Sequence, residues 1–190
     1  MSTPLVVSFS GGSRGTWRIT RMETVCGEGM PFAPRLRVEE GEGHLDGTAW
    51  VLRGVTSNLR YTTGAERVRL TAASPPLGRT AASRAALIPI RKSAKWWEMA
   101  QDQRREIFEE QSRHIAVGLE YVPAVARRLH HCRDLGEPFD FLTWFEYAPE
   151  DAPHFEHMVQ RMRATEEWRY VEREIDVRLE REAPNGVAVQ

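Results

Sequence analysis

The chain has 190 residues, of which 41% are apolar and 28% charged, the profile of a folded globular domain long enough to bury a core. Lys and Arg number 26 against 27 Asp and Glu, a formal charge of −1, so no global field favours nucleic acid or an anionic membrane. Only two cysteines occur, Cys26 and Cys132, far apart and in no metal-ligand spacing, which argues against a disulfide framework or a zinc site.

No run approaches the roughly 20 apolar residues of a membrane span. Met1–Phe9 lacks the basic start and long apolar stretch of a signal peptide, so a cytoplasmic protein is expected. Short strand-like runs follow at Leu5–Phe9, Trp17–Met22, Ala49–Val55 and Arg67–Thr71, separated by glycine-rich turns. No helical period is read before residue 90. The stretch Ala73-Ser74-Pro75-Pro76-Leu77-Gly78 breaks the pattern, and Arg79–Ala86 reads as a linker. This predicts a β-rich first unit over residues 1–78 and a second unit over 87–182.

The second unit starts with a strand at Leu87–Arg91, expected at a sheet edge because Pro89 cannot donate to a ladder. From Trp96 to about Gly118 the spacing predicts one helix, with Ala100, Ile107 and His114 seven residues apart on one face. Pro123 suits the first turn of a further helix running to Asp134, stopped by Gly136 and Pro138. Phe139–Tyr147 alternates as a strand, with Phe141, Thr143, Phe145 and Tyr147 on one face and Leu142, Trp144 and Glu146 on the other. Asp151 is a candidate N-cap for a helix with the stripe Phe155, Met158, Val159 and Met162. The last strand places Val171, Arg173, Ile175, Val177 and Leu179 on one face and Glu172, Glu174, Asp176 and Arg178 on the other. The resulting β-α-α-β-α-β order suits an α+β sandwich of ferredoxin-like type.

His114 on an apolar helical face has an ordinary reading, a core histidine bonded to backbone. It also has a chemical one, a neutral imidazole ligating haem iron with its other ring nitrogen held by a carboxylate. Glu166 and Glu167, where the last helix meets the last strand, are the candidate carboxylates. Arg127, 13 residues on, would lie about 220° round an unbroken helix from His114. A break at Pro123 would let the two flank a planar ligand; the plainer alternative makes Arg127 and Arg128 a solvated face. Trp96 and Trp97 cannot both face one core, and with Lys92 and Lys95 they offer donors for a carboxylate such as a haem propionate, or pack at an interface. His130-His131 beside Cys132 could bind metal, but neighbours on a helix point about 100° apart, and His154/His157, which could share a face, lack a third ligand. Gly11–Gly15 lacks the spacing and lysine of a phosphate loop.

Three stretches read together, KWWEMAQDQRREIFEEQSRH (95–114), RLHHCRDLGEPFDFLTWFEYAPED (128–151) and RATEEWRYVEREIDVRLER (163–181), closely resemble the chlorite dismutase family. The likeness covers the second half of the chain, with a looser match in the first through SNLRY at Ser57–Tyr61. The length resembles the short lineage of that family. The resemblance implies a dimeric ferredoxin-like sandwich-barrel with a reduced N-terminal half and a complete haem-binding C-terminal half, in a homodimer. It also implies haem b and conversion of chlorite to chloride and dioxygen through a ferryl intermediate and transient hypochlorite. By the same resemblance His114 is the proximal iron ligand and Glu167, rather than Glu166, its partner. Arg127 becomes the distal cation and Thr143 and Phe145 distal-pocket residues. Lys92 and Trp96 become propionate-side contacts, with Tyr61 and Asn58 as additional cofactor contacts. Rival readings are a coproheme decarboxylase, which lacks the distal arginine, a haem carrier or sensor without turnover, and a dimerising domain with no cofactor.

Overall fold

The computed structural model describes residues 5–43, 46–56 and 61–182; Asn58 lies outside them. Strands β1 (Leu5–Gly12), β2 (Trp17–Cys26), β3 (Arg35–Glu40) and β4 (Thr48–Thr56) precede helix α1 (Gly64–Ala73) and strand β5 (Arg84–Lys92). Helices α2 (Ala94–Glu98), α3 (Gln101–Arg105) and α4 (His114–Tyr121) lead to strands β6 (Ala126–His131) and β7 (Phe141–Tyr147). Helix α5 (Ala152–Arg163), a 3₁₀ turn at Glu166–Tyr170 and strand β8 (Val171–Arg181) complete the chain. The strands close a barrel in the order β1-β3-β2-β8-β5-β7-β6-β4, antiparallel throughout.

The barrel is two four-strand arcs, β4-β1-β3-β2 and β8-β5-β7-β6. A long β2–β8 ladder joins them on one side, and the two pairs Val55↔His131 and Thr56↔His130 on the other. Alternation decides which side chains go inward. Phe9, Trp17, Leu36, Leu52, Leu87, Leu142, Trp144, Ile175, Val177 and Leu179 fill the lumen. The neighbours of opposite parity on β5 and β7, Ile88, Ile90, Phe141, Phe145 and Tyr147, pack outward against α4 and α5. Both faces of these strands are therefore buried, which explains why β5 and β7 read as nearly continuous apolar runs. The stripe Phe155, Met158, Val159 and Met162 of α5 covers the outer layer.

Strand β8 is an exception in chemistry. Its outer residues Glu174, Asp176 and Arg178 are charged yet buried under α5. Arg163 of α5 holds Glu174 (Nε–Oε1, 2.9 Å) and Asp176 (2.8 Å), and Arg178 bonds both Asp176 (2.9 Å) and Glu156 (3.1 Å). Charges enclosed in this way must be paired to be tolerated.

Several sequence expectations are corrected. The segment expected as a strand at Arg67–Thr71 lies inside α1, which starts with a capping box: the Glu66 N–H donates to Thr63 Oγ1 and the Thr63 N–H to Glu66 Oε2. The helix expected over 123–134 is instead strand β6, paired along its whole length with β7. The single helix expected over 96–118 is broken at Ala100, which is extended, and at Arg113, which is left-handed at φ 52°. Ala100, Ile107 and His114 consequently do not form a stripe on one helix. Strand β5 is interior, between β8 and β7; Pro89 is accommodated because the β5–β8 ladder skips from Leu87↔Val177 to Ile90↔Glu174. Strand β3 was not foreseen, and the second half runs β-α-β-β-α-β once β6 replaces the expected helix.

Among the described residues no helix is long and apolar enough to cross a membrane. The lumen sets a clear expectation for stability. Phe9 has no exposed surface and meets Trp144 at 5.8 Å, whereas Phe32 is 65% exposed. Phe9→Ala should cost roughly 3–5 kcal/mol in denaturant unfolding, and Phe32→Ala less than about 0.5 kcal/mol. Equal effects would contradict the packing described.

Candidate functional site

A cavity of about 1210 Å³, counting its open mouth, lies between the outer face of β5, β6 and β7 and the helices α1, α4 and α5. Ile88, Ile90, Leu129, Phe141 and Phe145 form the sheet wall, and Ile115, Val122, Met158, Val159 and Met162 the helical wall. Polar groups enter this apolar space at few points. His114 and Glu167 enter from the helical side; Arg127 and Thr143 enter from the sheet.

On the helical side His114 is the first residue of α4. Its Nδ1 meets Glu167 Oε2 at 2.7 Å, and Phe108 stacks on the ring at 4.3 Å between centroids and 21° between planes. With Nδ1 bonded to the carboxylate, Nε2 is the ring nitrogen left for a ligand in the cavity. Glu167 Oε1 in turn accepts from Lys92 Nζ at 2.7 Å, and the Glu167 N–H donates to Ser112 Oγ at 2.8 Å. Both Glu167 and Lys92 are buried. Burial alone raises the carboxyl pKa, but the charges of His114 and Lys92 outweigh it and hold the group at about 2. Glu166 turns outward to Arg169 (3.0 Å) and takes no part.

On the sheet side Arg127 pairs across β6–β7 with Phe145, and Leu129 with Thr143. Alternation points all four toward the cavity. The Arg127 guanidinium is desolvated, and burial lowers its pKa with no carboxylate to offset it among the described residues. An arginine still stays cationic, so the cavity holds a charge without a partner. Phe145 is fixed behind it by an edge-on contact with Phe155 at 5.1 Å.

The donor set constrains what fits. Among the described residues no three His, Cys, Asp or Glu side chains converge to hold a bare metal ion. One imidazole in an apolar slot suits a metal that already carries its own macrocycle. Gly118, one turn after His114, leaves the neighbouring space clear, since a Cβ there would have Met162 Cε as its nearest neighbour at 3.9 Å. Trp96, also lining the cavity, has a buried indole N–H with no partner among the described residues. These residues fit haem: an imidazole nitrogen for the iron, an apolar slot and a spare donor.

A family model described as chlorite dismutase matches residues 41–181. The chain belongs to the chlorite dismutase family. A dimeric chlorite dismutase from Nitrobacter winogradskyi is 57% identical over 93% of this chain and 99% of its own, with a TM-score of 0.87. The chlorite dismutase of Candidatus Nitrospira defluvii in complex with imidazole, at 17% identity over 97% of this chain and 93% of its own (TM-score 0.64), shows the likeness of fold alone. A curated chlorite dismutase from Ideonella dechloratans is 35% identical over 60 residues, 32% of this chain and only 20% of that protein.

The residues singled out from the sequence are thus brought to one cavity, with Asn58 outside the described residues. Their positions differ in detail from the chlorite dismutase resemblance. Lys92 is committed to Glu167 behind the histidine, with its ammonium 4.5 Å from the centroid of the Trp96 ring, and is not free for a propionate. Trp96 packs between Tyr61 and Tyr170. Trp97 turns the other way, stacks on Phe141 and donates to Asp140 Oδ2 at 3.1 Å. Ser112, Phe108, Met158 and Met162 were not foreseen. The α5 methionines carried a visible signal, since they belong to the stripe read as pure core.

Removing Lys92 would strand a buried carboxylate. Lys92→Met is expected to destabilise the unloaded protein by roughly 3–5 kcal/mol, read by denaturant unfolding; a loss below about 0.5 kcal/mol would contradict the buried pair. Because the Glu167 pKa is lowered from 4.5 to about 2, its contribution is present above pH 4.5 and lost as pH falls toward 2.

Proposed function

We propose that this chlorite dismutase family member decomposes chlorite to chloride and dioxygen with haem b held by His114. The observation that carries the reading is the opposition of two walls. A histidine backed by a buried carboxylate faces the cavity from α4, and an unpaired desolvated arginine faces it from β6. Bound haem would supply the redox-active iron at which the O–Cl bonds of the substrate are broken. The chain's residues supply the rest.

Glu167 orients the imidazole through Nδ1 and strengthens it as a donor, and Lys92 and Ser112 hold Glu167 in place. Arg127 attracts the anion into an apolar cavity, where little water screens the charge. The same guanidinium restrains hypochlorite before it escapes, so that both oxygen atoms of one chlorite leave as dioxygen. Phe145 and Leu129 exclude water beside it, and Thr143 offers a hydroxyl on the same face. An arginine in this position also favours an anionic substrate over the coproheme reading.

The arc order β8-β5-β7-β6 with its two helical crossovers supports a complete ferredoxin-like half at 87–182, and the arc of β1–β4 a reduced half at 1–78. The Nitrobacter relative described as dimeric supports a homodimer.

An oxygen electrode tests the reading. Haem-loaded protein given chlorite should release one dioxygen per chlorite consumed, with matching chloride. Arg127→Ala should lower kcat/KM by about tenfold or more, as expected for one charge-assisted hydrogen bond, and release more hypochlorite to a scavenger. Firm haem binding without dioxygen would overturn the function. An Arg127→Ala variant that leaks no extra hypochlorite would overturn the restraining role.

A further inference from the structure

Helix α4 begins with His114 itself, so the first turn of that helix fixes where the imidazole points. The first backbone N–H groups of a helix have no acceptor within it. The flanking Arg113 supplies no side-chain cap. The acceptor comes instead from Glu109, whose carboxylate takes the Ile115 N–H at 2.6 Å and the Ala116 N–H at 3.2 Å. It reaches them because Glu106–Gln111 is wound as a π-type turn, in which the Ser112 N–H bonds the Ile107 carbonyl five residues back at 3.1 Å. The same turn sets Phe108 against the His114 ring and Ser112 Oγ beneath the Glu167 N–H. Consecutive side chains of one wide turn therefore hold the ring face and the helix start.

We propose that Glu109 is a positioning residue for the haem-binding histidine. Its carboxylate fixes the first turn of α4 and offsets the positive end of that helix beside His114. The inference rests on the haem reading of the site. A helix N-terminus carries about half a positive charge, and His114, the first residue of α4, stands in that field. Left uncompensated, the field would draw electron density from the imidazole and work against Glu167. A carboxylate on the second and third N–H groups of the helix cancels most of it. Glu109 thus protects the donor strength that Glu167 provides.

The test compares wild type with Glu109→Gln, which keeps an oxygen acceptor but loses the charge, and Glu109→Ala, which loses both. In the haem-free chains, amide hydrogen exchange at Ile115 and Ala116 should quicken about fivefold in Glu109→Ala and change less in Glu109→Gln. In the haem-loaded chains, both variants should be more readily reduced, with the ferrous-to-ferric ratio at a fixed solution potential rising about two- to fivefold. Unchanged exchange in Glu109→Ala overturns the cap. An unchanged ratio in haem-loaded Glu109→Gln overturns the electrostatic role, even if Glu109→Ala fails to fold. A wild-type chain that takes up no haem overturns the site reading and the donor role with it, while the exchange data still decide the cap.

Discussion

The site depends on one carboxylate kept ionised although it is buried. Glu167 sits in the turn before β8, Lys92 ends β5, and His114 starts α4, so one hydrogen-bonded chain ties sheet, turn and helix together. Desolvation opposes the charge, and two partners on opposite oxygens overcome it. A carboxylate with one partner would be poorly placed to act on the imidazole, since a buried ion pair is stable only when its remaining acceptor sites are also used. The lysine is therefore part of the histidine's environment.

The two walls solve different problems. On the helical wall Met158, Val159 and Ile115 face the cavity, Glu167, Ser112 and Glu109 hold backbone and imidazole, and Lys92 reaches Glu167 from the end of β5. The sheet wall is the reverse, presenting a cation on a rigid β6–β7 ladder whose back is the apolar barrel lumen. Placing Arg127 on a strand limits its backbone freedom, and withholding a carboxylate keeps its charge for a ligand. An arginine already paired within the protein would have little left to offer an incoming anion.

The parts of this arrangement that repeat at a clear period were legible. Strand β7 and helix α5 were read with their faces assigned, because each buries side chains at its own spacing. Strand β6 was misread because Arg127, Arg128, His130 and His131 give no apolar period and Pro123 suggested a helix start. Its identity is decided by the ladder with β7, a partner remote in sequence. The breaks at Ala100 and Arg113 carry neither glycine nor proline, so an even heptad spacing concealed a π-type turn and a left-handed residue. The residues of the Thr63–Glu66 capping box are visible in the sequence, yet Arg67-Val68-Arg69-Leu70-Thr71, alternating polar and apolar, was read as a strand. His114 and Arg127 were set on opposite sides of a ligand by a bent-helix argument; the structure opposes them by placing one on a helix and the other on a strand. The roles of both came from resemblance, whereas the burial of Lys92 could not be read from a lone lysine at a strand end.

In the proposed haem-bound state the Glu167 carboxylate sets the donor strength of His114 toward iron. Resonance Raman spectroscopy of the ferrous, haem-loaded protein measures this directly through the iron–imidazole stretching mode. A mode at the strong-donor end of its range is expected in the wild type, with a clear fall in Glu167→Gln. The same frequency in both proteins, or a mode that survives in His114→Ala, would contradict it.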